Sequence, residues 1–135
     1  MMMGEFVTLI HTGLPVKIIV LNNGMLGFVE LEMKAGGFVD VNCDAKNPNV
    51  AAMAEAMGVK AIRVEKPQDL KNAVATFLAH NGPALLDVVS AGQELVMPPV
   101  TTVDEADHFV LFTLRAVLDG RGTELIHLAQ ENLTR

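Results

Sequence analysis

Three short apolar segments constrain this chain more than any other feature. They are Val16-Lys17-Ile18-Ile19-Val20-Leu21, Ala61-Ile62-Arg63-Val64-Glu65 and Ala84-Leu85-Leu86-Asp87-Val88-Val89. Each is rich in branched apolar residues, and segments of this length and make-up form strands. The first is apolar almost throughout, the pattern of a strand buried on both faces of a parallel sheet. Helical patterns lie between the strands. Asn47-Pro48 offers an N-cap followed by proline at the first helical position. The helix it opens is expected to run to about Met57 and to close at Gly58. Pro67 opens another helix, expected to end near His80, with Asn81-Gly82 as the stop. This alternation predicts βαβ units and parallel strands.

The flanks extend the pattern. Glu5 to His11 is apolar at near-helical spacing and stops at Gly13. Nothing ahead of it caps a helix, so the start reads as a cut or a late start codon. Gly27 to Lys34 is expected to form a short helix, with Glu30, Glu32 and Lys34 as its solvated face, and 35–47 a loop. Beyond the third strand come Pro98-Pro99, a helix from about Asp104 to Leu118, and a tail helix after Gly120-Arg121-Gly122. Val110, Leu111, Leu114, Val117 and Leu118 make one apolar stripe, which marks a helix that packs against this domain or a neighbour. The expected class is α/β: a partial Rossmann-like parallel sheet flanked by helices, with the N-terminal part missing. We divide it into an α/β domain over 1–98 and a helical extension over 99–135.

Charge and composition exclude several functions. The net charge is −6 and no Arg/Lys stripe is present, which argues against nucleic acid. Half of the residues are hydrophobic, too many for a disordered chain, and some apolar surface is expected to meet a partner. No apolar run reaches the ~20 residues that cross a bilayer. Cys43 is the only cysteine, so an internal disulfide and a Cys-based zinc site are both excluded. It reads as an idle thiol in a reducing, cytoplasmic setting. His11, His80, His108 and His127 lack metal-ligand spacing, Met53 and Met57 read as core, and Asp40 and Asp44 lack a third ligand and read as loop solvation.

Ligands of open α/β sheets bind beyond the carboxyl ends of strands. The first strand leads into Asn22-Asn23-Gly24-Met25-Leu26-Gly27. Asn23 brings a neutral oxygen and the turn brings carbonyls, which suit a hard cation such as Mg²⁺. The helix start at Gly27 suits a phosphate. An ordinary Asn-Asn-Gly turn has the same composition.

The wider text separates these readings. Pro15 to Val29 resembles the second half of the thiamin-diphosphate motif, which opens with Gly-Asp-Gly and ends in Asn-Asn. Glu32-Met33-Lys34-Ala35-Gly36-Gly37-Phe38, Gly58 to Glu65, Gly82 to Val89, Leu114-Arg115-Ala116 and Gly120-Arg121-Gly122 are similar to segments of bacterial pyruvate:quinone oxidoreductases. The resemblance covers essentially the whole chain, and it implies thiamin diphosphate held through Mg²⁺. Asn23 and the Met25 carbonyl would be metal ligands, Leu26 and Gly27 would lie against the diphosphate, and Phe28 would face the reacting carbon or the acceptor pocket. The sequence contains no Gly-Asp-Gly, and the match places that triplet just before Met1. The activating glutamate belongs to another domain, and no catalytic residue carries over to this chain.

For the parent enzyme the resemblance implies oxidative decarboxylation of pyruvate or a related 2-keto acid. Acetate and CO₂ would leave, with electrons passing to FAD, bound outside this chain, and then to a quinone. Acetolactate-synthase-like carboligation and a non-catalytic assembly or regulatory domain are the alternatives. A homo-oligomer is implied. So is a peripheral contact of 123–135 with the inner face of the cell membrane. Against that contact, 123–135 lacks Trp and Lys, and Glu124 and Glu131 would be repelled by anionic lipid. Leu125, Ile126, Leu128, Ala129 and Leu133 serve plain packing equally well.

Overall fold

The computed structural model describes residues 3–39, 41–92 and 103–133. Pro98-Pro99, where the domain division was drawn, lies outside the described residues, as do Asp40 and the last two residues of the tail. The chain forms two compact units. One comprises 1–23 and 46–90, the other 24–45 and 91–135.

The first unit is an α/β layer. Its elements are α1 (Glu5–Thr12), β1 (Lys17–Asn22), then α3 (Val50–Ala56), β2 (Lys60–Val64), a 3₁₀ turn (Pro67–Asp69), α4 (Leu70–Ala79) and β3 (Ala84–Val89). The second unit contributes α2 (Gly27–Ala35) between β1 and α3, and α5 (Val103–Leu118) and α6 (Gly122–Leu133) after β3. The three strands run parallel in the order β1-β3-β2. The α/β class and the parallel sheet flanked by helices are as the sequence predicts.

Alternation along β3 sorts the core into two faces. Leu85 joins Phe6, Ala51, Ala54, Val59 and Ala61, with Ile18 and Val20 of β1 packed on them. Ala84 and Leu86 join Val64, Ala73 and Phe77 on the other face. Burying a leucine of this kind contributes roughly 1.5–3 kcal/mol, so the middle strand anchors the unit.

The strand buried on both faces is therefore β3 and not β1. In β1, Ile19 is 59 % and Leu21 73 % exposed. The physical reason is position: β1 lies at the sheet's edge, and α4 packs against β2 and β3. Lys17, on the same face of β1, donates from Nζ to the carbonyls of His80 and Gly82, both at 2.6 Å. A cation at the end of α4 offsets the negative pole of that helix.

The cap of α3 also differs from expectation. Asn49, not Asn47, is the N-cap, and its Oδ1 accepts from the Ala52 N–H at 2.9 Å. Two asparagines flank Pro48, and the one nearer the helix reaches its free N–H groups. Asn47 is used elsewhere.

In the second unit the expected solvated face of α2 is overturned. Glu32 is exposed, but Glu30 and Lys34 are buried, Lys34 to 1 %. Lys34 Nζ binds Glu30 Oε1 one turn earlier on α2, and lies 3.3 Å from Glu124 Oε1 of α6. Its ammonium also stands 5.3 Å from the ring centre of Phe112 on α5. Arg121 completes the cluster with an ion pair to Glu124 Oε2 at 2.6 Å. Two carboxylates and an aromatic face replace the water that a buried ammonium loses. Glu124 is thus engaged inside the unit and is not a charge presented outward.

The packing face of α5 is Phe112 and Ala116, with Phe109 beside Phe112 at 5.6 Å between ring centres. The stripe Val110, Leu111, Leu114, Val117 and Leu118 is exposed. In α6, Leu128 is buried and Ile126 exposed. Cys43 is buried, with its Sγ 3.9 Å from Met33 Sδ.

Candidate functional site

The carboxyl ends of the three strands carry a run of polar side chains that the sequence reading did not assemble. Asp87 faces the same side of the sheet as Leu85, two residues earlier, and none of its surface is exposed. Register sets Arg63 of β2 directly beside it, and Asn22 is two residues past its β1 partner, Val20. All three side chains point to one face by alternation.

The contacts follow from that register. Arg63 Nη1 donates to Asp87 Oδ2 at 2.6 Å, and Arg63 Nε donates to Glu65 Oε1 at 2.8 Å. Asn22 Nδ2 donates to Asp87 Oδ1 at 3.3 Å. Asn22 Oδ1 accepts from Asn47 Nδ2 at 2.9 Å, and the Asn22 carbonyl accepts from the Ser90 N–H at 3.1 Å. The Arg63 guanidinium is raised above its ordinary value, first by the bond to Glu65 and then by that to Asp87. It stays charged at any working pH. The available sequence signal was an aspartate and an arginine inside strands that are otherwise apolar.

Asn23 follows directly. It ends the first unit, is half-buried, and lies at the carboxyl end of β1 as expected. Gly24, the first residue of the second unit, has φ +68°, a conformation that costs an L side chain roughly 1–2 kcal/mol. This accounts for the glycine after Asn-Asn.

Met25 pairs with Asp44 in an isolated antiparallel bridge. The bridge bonds are Ala45 N–H to Gly24 carbonyl at 2.7 Å and Leu26 N–H to Cys43 carbonyl at 2.8 Å. They belong to the residues on either side of Met25, so the peptide groups of Met25 itself point away from Asp44. Leu26 is the N-cap residue of α2 and gives no side-chain cap, while Gly27 is the first helical residue. Leu26 and Phe28 are both exposed. An amide oxygen such as that of Asn23 suits a divalent cation, and a helix start such as that at Gly27 suits a phosphate. Among the described residues, no group of three His, Cys, Asp or Glu could hold a metal alone.

The comparisons with known proteins agree with that chemistry. The thiamine pyrophosphate enzyme C-terminal TPP-binding domain matches residues 1–88. The chain belongs to this family. Mitochondrial acetolactate synthase of Schizosaccharomyces pombe is 37 % identical over 110 residues, 79 % of this chain and 16 % of that protein. A putative thiamine pyrophosphate-containing protein of Bacillus subtilis, YdaP, is 30 % identical over 125 residues, 93 % of this chain and 22 % of that protein. Chloroplastic acetolactate synthase of Arabidopsis thaliana is 37 % identical over 105 residues, 71 % of this chain and 16 % of that protein. The chain thus spans less than a quarter of the length of these relatives, and none of the three is named a pyruvate oxidase. No helix among the described residues is long and apolar enough to cross a membrane.

Proposed function

We propose that this chain is the diphosphate-binding part of a thiamin-diphosphate- and Mg²⁺-dependent enzyme that decarboxylates pyruvate or a related 2-keto acid. The observation that carries the reading is the polar turn after β1, in a chain whose first 88 residues match the cofactor-binding family. Asn23 Oδ1 and the Met25 carbonyl are the proposed metal ligands. Leu26 and Gly27 would lie against the diphosphate, and Phe28, exposed beside them, would wall the reacting end. The cofactor, once bound, supplies the electron sink for loss of CO₂. The chain's own part is to hold the cation, cradle the diphosphate with helix N–H groups and exclude water with Leu26 and Phe28. The α/β part over 1–98 would do this work, and 99–135 would be a helical extension.

Two fates of the decarboxylated substrate are supported by different observations. Segment-by-segment likeness to pyruvate:quinone oxidoreductases favours oxidation to acetate, with FAD and a quinone as acceptors. Relatives named acetolactate synthase favour joining to a second 2-keto acid. The two share the cofactor, the cation and the first substrate.

The test is calorimetric titration of the 135-residue chain with thiamin diphosphate, with and without Mg²⁺. Weak binding is expected, above micromolar, dependent on Mg²⁺ and lost in Asn23→Ala. Binding that ignores both Mg²⁺ and Asn23 would overturn the ligand assignment. Absence of any binding would favour a non-catalytic assembly domain.

A further inference from the structure

We propose that Asp87 is a positioning residue for the cation turn: it fixes Asn22, and through Asn22 it sets the direction in which Asn23 leaves β1. This deepens the reading of Asn23 as a ligand and rests on it for its functional meaning.

The argument begins with the cost of the group. A carboxylate with no exposed surface in the middle strand is expensive unless it is paired and hydrogen-bonded. Asp87 spends one oxygen on Arg63 and the other on Asn22. The first bond balances the charge. The second bond does something else. It selects the rotamer and the amide orientation of Asn22, because a carboxylate accepts only from Nδ2. The amide oxygen is then turned toward Asn47, whose Nδ2 donates to it at 2.9 Å.

Asn22 is therefore gripped at three points: Nδ2 by Asp87, Oδ1 by Asn47 and its carbonyl by Ser90. It is the last residue of β1, and Asn23 is the next. A strand end is ordinarily free to fray, whereas a metal ligand must be held to within a fraction of an ångström. The buried carboxylate supplies that rigidity from the middle strand, where Leu85 and Leu86 beside it are fully buried.

Asp87 and Asn47 grip the two ends of the same Asn22 amide, so their effects on it are expected to be coupled. The variants are Asp87→Asn, Asn47→Ala and the double variant, each in the full 135-residue chain. The first readout is solvent exchange of the Asn22 side-chain amide, followed by nitrogen–proton NMR. Each single variant should speed that exchange about tenfold and shift the Asn23 signals. Exchange at Ala54 and Phe77 should stay unchanged, where a merely structural role would move all sites together. The second readout is affinity for magnesium thiamin diphosphate. Each single variant should weaken it about tenfold, and the double variant no more than the worse single one.

Unchanged Asn22 and Asn23 signals in the single variants would overturn the proposal, as would additive losses of affinity. If the wild-type chain fails to bind magnesium thiamin diphosphate, the ligand reading of Asn23 falls. The exchange measurement then still decides whether Asp87 and Asn47 position the turn.

Discussion

Arg63 and Asp87 are register partners on β2 and β3, and Nη1 of the arginine lies 2.6 Å from Oδ2 of the aspartate. The pair is asymmetric. Asp87 has no exposed surface, whereas the Arg63 side chain keeps 27 % of its own. Removing the arginine strands a buried charge, while removing the aspartate leaves a cation that water and Glu65 can still serve.

Arg63→Met should therefore destabilise the chain by about 2–4 kcal/mol, near the range for breaking a buried pair and lowered by the partial exposure. Asp87→Asn should cost less, because the cation it leaves, Arg63, is partly exposed and still paired with Glu65. Urea unfolding of both variants checks the order. A larger loss in Asp87→Asn would show that the charge was not the dominant strain.

Lys34→Met should cost about 3–5 kcal/mol, since it removes the buried cation that Glu30 and Glu124 share and leaves Arg121 to serve Glu124. Replacing Lys34, Glu30 and Glu124 together by methionine should recover most of the loss, because apolar residues of similar volume often serve as well as a buried ion cluster. The same denaturation measurement applies. Failure of the triple variant to recover would mean that α6 depends on the cluster for its alignment.

The chain is expected to form a dimer or larger species. Ile19 and Leu21 stand in the open on an edge strand, and such edges invite pairing. Light scattering at high concentration should give a mass above 14.5 kDa, and Leu21→Lys should lower it. A monomer mass for the unaltered chain would refute the homo-oligomer.

Contact of the tail with lipid should be weak and insensitive to salt. Glu124 is engaged with Lys34 and Arg121, which leaves Ile126 as an exposed apolar anchor of α6. Flotation with anionic vesicles should show slight binding that Ile126→Asp removes. Equal flotation of the two would assign α6 to packing alone.

The strands and most helix ends were legible in the sequence because they rest on local signals. Gly13 closes α1 in a left-handed conformation, Pro67 opens the turn before α4, and branched residues mark the strands. What failed was long-range. Nothing local tells that Glu30 and Lys34, spaced as on any solvated helix, meet Glu124 and Phe112. The stripe on α5 was correctly seen as apolar, but burial fell on Phe112 and Ala116, where α2 supplies the partners. Asp87, Arg63 and Asn22 are far apart in sequence, and only strand order makes them neighbours. The asparagine turn was legible from the local text, and the brace behind it was not.

Residues 24–45 belong with 91–135, although β2 and β3 come between them in the chain. Synthesis therefore delivers the two halves of that unit at different times. When α2 leaves the ribosome, Lys34 has Glu30 as company, but Phe112 and Glu124 have still to be translated. A nine-residue helix is too short to persist alone in water. At ordinary translation speeds the wait is on the order of ten seconds. During it the sheet can close around Leu85 and Leu86, while Phe28, Val29 and Phe38 remain available to any holdase that binds nascent apolar chain.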